Sequence, residues 1–121
     1  MTEQITDLKD AILQEDQPPI ACDLSGINIH QRRRYEALRV EMRTAVQEAR
    51  ELPDGYAFRF PSEGSIFLAI SEWITLERLC CPFLRFVLET DGEGGPTWLR
   101  LTGRDGVKEF LRAQFAAGGR G

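Results

Sequence analysis

The sequence predicts an α+β domain in which a small three-stranded, largely antiparallel sheet carries helices on one face, in the order α-α-β-α-β-β-α. Three observations carry that reading. Apolar residues recur at helical spacing from Tyr35 through Leu38, Met42, Ala45, Val46, Ala49 and Leu52, and again at Ile66, Phe67, Ile70, Trp73 and Ile74. Tyr56, Phe58 and Phe60 alternate with Ala57 and Arg59, as on a half-buried strand. Finally, DGEGGP separates two strand-like runs and bends back easily.

The elements follow in chain order. Ile5, Leu8 and Ile12 give a short amphipathic helix from about Thr2 to Glu15, ended by Pro18-Pro19. The acidic segment 1–16 joins the remainder through QPPIACDLSG, so it is expected to be loosely attached or to dock on a partner chain. Asn28 and Gln31 stand in capping-box spacing before the longest helix, whose stripe reaches Leu52 and stops at Pro53-Asp54-Gly55. The strand Tyr56–Phe60 closes at Pro61, and Ser62 is placed to cap the next helix. That helix must end near Cys81, because the Pro82 ring disfavours helical backbone in the residue before it. Phe83–Thr90 and Thr97–Thr102 form a hairpin, Val107, Phe110, Leu111 and Phe115 a last helix, and 116–121 a mobile tail. Both tryptophans, Trp73 and Trp98, fall at apolar phases that predict core packing.

The chain has 121 residues, 42% of them apolar and 28% charged, which describes a single domain able to bury its core without disulfides or a structural metal. The formal net charge of −4 arises in residues 1–16, and the remaining chain balances fourteen acids against fourteen bases. No clustered basic surplus marks a nucleic-acid face, and Arg32-Arg33-Arg34 lies among glutamates as a solvated helix surface would. No apolar run is long enough to cross a membrane, and the acidic start is unlike a secretory signal. A cytoplasmic location is therefore expected, and an odd count of three cysteines suits a reducing compartment. Three strands leave an open edge, which favours a homodimer.

Chemistry concentrates at the cysteines. Cys80 and Cys81 are adjacent, and alpha carbons about 3.8 Å apart are too close for an ordinary disulfide. The pair is left to act with Cys22, provided that Cys22 arrives from the connector. Thiolates select zinc and other thiophilic metals or metalloids, and Glu77, one turn before Cys80, is the fourth-ligand candidate. Thiol redox catalysis is disfavoured, because the pair sits at a helix C-terminus and lacks Cys-x-x-Cys spacing. The only histidine, His30, belongs to the first turn of the long helix, where no histidine-rich site or hydrolytic triad can form. Nor do the glycines of TDGEGGP precede a helix as a phosphate loop requires. No enzyme is expected on these grounds.

The blocks ACDLSG, ELPDGYAFRFP, ERLCCPFLRF and WLRLTGRDGVKEFL together resemble a family of small, uncharacterised bacterial proteins, over roughly Ala21 to Leu111. The resemblance implies no fixed activity, but its link with bacterial metal-resistance and redox gene neighbourhoods adds weight to a thiol or metal role. The expectation is a small binding or sensor protein with a metal site at Cys22, Cys80, Cys81 and Glu77. The alternatives are an interaction module that docks a protein partner through its acidic first helix, with core cysteines, and a thiol redox sensor.

Overall fold

The structure is a computed structural model that describes residues 20–118. The helix predicted at Thr2–Glu15 lies outside the described residues. Asn28 and Gln31 form the capping box their spacing predicts: the Asn28 side chain accepts from the Gln31 N–H at 2.9 Å, and the Gln31 side chain accepts from the Asn28 N–H at 2.8 Å. This cap starts α1, Ile29–Ala45, which buries Tyr35, Leu38 and Met42.

The sheet has four strands rather than three, antiparallel throughout, in the order β1-β2-β4-β3. The additional strand, β1 at Glu48–Leu52, takes the stretch expected to end the long helix. Val46 leaves the helix with φ −63° and ψ 132°, and the Gln47 N–H then donates to the Arg59 carbonyl at 2.8 Å. Pro53-Asp54 is therefore the turn of a hairpin that sets Leu52 opposite Gly55 in β2, Gly55–Phe60. β1 buries little side-chain surface. Backbone pairing and charge hold it: Glu48 pairs with Arg50 and Arg59, and Glu51 with Lys108 at 2.7 Å and Arg112 at 3.1 Å.

Glu63, not Ser62, is the N-cap of α2, Gly64–Cys80, and its side chain makes no capping bond. The β3 (Arg85–Thr90) and β4 (Thr97–Thr102) strands make the expected hairpin. α3 runs Val107–Gly118, so the backbone of the expected tail is helical at its start, and 119–121 lie outside the described residues.

One sheet face carries Tyr56, Phe58, Phe60, Phe86, Leu88, Leu99 and Leu101, which meet the helices in a single core. Trp73 of α2 stands edge-on to Phe86 at 5.8 Å between ring centroids, and Phe115 of α3 stands edge-on to Tyr56 and Phe58 at 5.2 and 4.8 Å. Trp73 is thus a core residue, but Trp98 alternates onto the opposite face, where it is half-buried beneath the Arg50 guanidinium, 4.7 Å from its ring. No helix among the described residues is long and apolar enough to cross a membrane.

A Cβ at Gly55 would lie 1.9 Å from the Leu101 carbonyl oxygen, a backbone atom that cannot step aside without opening the β2–β4 ladder. Gly55→Ala should therefore destabilise the fold by about 2–4 kcal/mol. The shift in urea midpoint measures this, and an unchanged midpoint would contradict the pairing.

Candidate metal centre

The site is built on the C-terminal end of α2. Cys80 is the last helical residue and Cys81 its C-cap, with φ −130° and ψ 69°, and the Cys81 N–H still donates to the Glu77 carbonyl at 2.7 Å. Pro82 blocks another turn, as the sequence requires. The helix therefore presents Glu77, Cys80 and Cys81 together near its exit.

Cys22 arrives from the connector. The Asp23 N–H donates to the Cys80 carbonyl at 2.8 Å, satisfying one of the open acceptors at the helix terminus and pinning the chain beside it. A 3-10 turn, Leu24–Gly26, follows; the Asp23 carboxylate caps it by accepting from the Ser25 N–H at 3.0 Å and hydroxyl at 2.6 Å. The Arg32 guanidinium donates to the Leu24 carbonyl from α1. Close approach is possible because residue 26 is glycine: a Cβ there would stand 2.5 Å from the Leu79 carbonyl oxygen.

The structure thus brings all four sequence candidates together. One ligand atom from each of Cys22, Glu77, Cys80 and Cys81 lies within 4.8 Å of the others. Tetrahedral coordination with metal–sulfur bonds of about 2.3 Å sets sulfurs about 3.8 Å apart, so the set closes on a thiophilic ion by side-chain adjustments of about 1 Å. Cys80, Cys81 and Glu77 are buried and Cys22 is half-buried. His30 is exposed on the first turn of α1 and takes no part.

Tyr35 was legible only as a member of the apolar stripe, yet its hydroxyl donates to the Glu77 carboxylate at 2.8 Å. That bond lets a carboxylate be 95% buried in an apolar wall and aims it at the sulfurs. The one signal in the sequence was a phenol amid aliphatic residues, since a buried tyrosine hydroxyl needs a partner.

Burial pushes the Cys80 thiol up to about 12, with the Glu77 carboxylate and Cys22 adding to the effect. Burial raises Cys81 further, again reinforced by Glu77. Arg78 and Arg85 do not offset this, because both side chains face solvent. Cys80 and Cys81 are therefore held as protonated thiols and are weak nucleophiles at neutral pH.

No protein-family model, curated protein or solved structure matches the chain.

Two outcomes follow from this geometry. Because folding favours the protonated thiols, their stabilisation is complete below the ordinary thiol range and is lost as pH rises through the raised folded value. The reduced protein should lose about 1.4 kcal/mol per pH unit for each such thiol above roughly pH 9, read from urea midpoints between pH 8 and 11. A flat profile would mean that the sulfurs are solvated. Tyr35→Phe should cost about 1–3 kcal/mol of stability by removing the hydroxyl donor to the buried Glu77 carboxylate, as measured by the same unfolding assay.

Proposed function

We propose that the protein binds a soft metal ion or metalloid through the thiolates of Cys22, Cys80 and Cys81, with the Glu77 carboxylate as a fourth donor oriented by Tyr35. The observation that carries this reading is the convergence of four donor atoms from two distant segments within 4.8 Å of one another. A core that needed only small apolar side chains would have no use for a carboxylate among its sulfurs, since an ionised group in such surroundings is costly unless paired.

The donor set specifies the class of ligand. Sulfur selects zinc, copper(I) and trivalent metalloids over magnesium or calcium, which demand oxygen. A redox-sensor role is less well supported, because burial holds Cys80 and Cys81 in the unreactive protonated form.

Two experiments test the proposal. Replacing both Cys80 and Cys81 by serine should abolish tight binding of zinc and arsenite to the reduced protein, and each single replacement should weaken it less, as measured by competition with a chromophoric chelator. Protein that folds normally yet binds neither, when fully reduced and unmutated, would overturn the proposal. In the second, each thiol that ionises on coordination releases one proton, so zinc affinity should climb steeply with pH, by up to about a thousandfold per unit for three thiols. A pH-independent affinity between pH 6 and 8 would show that the thiols are not the ligands.

A further inference from the structure

The candidate metal centre forms one wall of a partly open cavity of about 270 Å³ between the sheet and the helices. Its other walls are mostly apolar, with the aromatic rings of Phe58, Phe60, Trp73 and Phe110, and Arg39, Arg43 and Gln114 complete the lining. Cys22 and Cys81 line this space but Cys80 does not: its side chain is fully buried, with Sγ turned back on the Leu76 and Glu77 carbonyls at 3.6 and 3.7 Å. Two sulfurs therefore face a hollow and one lies behind them. An inorganic ion would use the sulfurs and leave the hollow unfilled.

We infer that the ligand of this site is a monoorgano trivalent arsenical, R–As(OH)2 with an aryl R group, whose arsenic is held by Cys22 and Cys81 and whose ring fills the cavity. The inference rests on the metalloid-binding reading above and names its substrate class. Apolar cavities of about 150 Å³ accommodate benzene, so the hollow has room for a six-membered ring, and its aromatic walls offer edge-to-face contacts. Trivalent arsenic with one carbon substituent needs two further ligands, which is the number of sulfurs that face the hollow.

The binding step is a ligand exchange without redox change. Two As–O bonds break and two As–S bonds form. Each thiol proton leaves with a hydroxide as water, and the C–As bond stays intact with arsenic trivalent throughout. The product, R–As(S-Cys22)(S-Cys81), carries no net charge. A mostly apolar wall accepts such a neutral adduct readily.

The test compares phenylarsonous acid, methylarsonous acid and arsenite on the reduced full chain, by competition with dithiothreitol. The phenyl compound should bind at least about 30-fold more tightly than the methyl compound, beyond the ratio the free dithiol shows, because the ring buries additional apolar surface. Leu111→Phe narrows the cavity and should cut that preference at least about tenfold. Val46→Phe, at the half-exposed rim, should act in the same direction if the core variant does not fold. Cys80→Ser should cost arsenite much more affinity than it costs phenylarsonous acid. A phenyl-to-methyl ratio equal to that of the free dithiol, with arsenite still tightly bound, would overturn this inference and leave the metalloid-binding reading intact. Failure to bind any of the three arsenicals or zinc would overturn both.

Discussion

The site depends on one backbone hydrogen bond, from the Asp23 N–H to the Cys80 carbonyl at 2.8 Å. A helix ends with carbonyls that lack intrahelical partners, and α2 cannot continue past Pro82 to supply them. The connector fills that vacancy, and in doing so it carries Cys22 to the two cysteines at the helix exit. The 3-10 turn capped by Asp23, the absence of a side chain at Gly26 and the Arg32 contact to Leu24 all stabilise the same approach. The need to satisfy a helix terminus thus doubles as the device that assembles a donor set.

Burial gives that donor set its character. Cys22, Glu77, Cys80 and Cys81, four groups able to bear negative charge, share a small volume, and burial keeps the protons on Cys80 and Cys81. Glu77 is held by a phenol, which donates a hydrogen bond without adding positive charge. Coordination by Cys80 and Cys81 therefore requires an incoming centre to displace their protons. This suits a binding role over a catalytic thiol, which requires a lowered pKa and access to solvent.

Much of this was legible in the sequence where local rules dominate. Asn28 and Gln31 declared a helix start, Pro82 a helix end, and DGEGGP a hairpin, because each acts through backbone geometry within a few residues. β1 was not legible, because Ala49 and Leu52 happen to continue the helical phase of α1, while Ala49, Arg50 and Glu51 are exposed and give no alternating signal. The strand is specified instead by its partner β2 and by charges on α3, which are distant in the chain. Trp98 misled for a related reason: its phase suggested apolar core, but the pleat puts it on the sheet face away from Phe58 and Leu101, paired with Arg59 and Glu89 and beneath Arg50. The four ligand candidates were readable as residue types. Their meeting, the Tyr35–Glu77 bond and the adjoining cavity are products of tertiary packing, which no local pattern encodes.

X-ray absorption at the metal edge of the zinc-loaded, reduced protein tests the central claim most directly, because it counts the ligand atoms that define the site. The account predicts three sulfurs at about 2.3 Å with one lighter oxygen donor. A first shell with one sulfur or none, dominated by nitrogen and oxygen, would show that Cys22, Cys80 and Cys81 do not act together and would contradict the account.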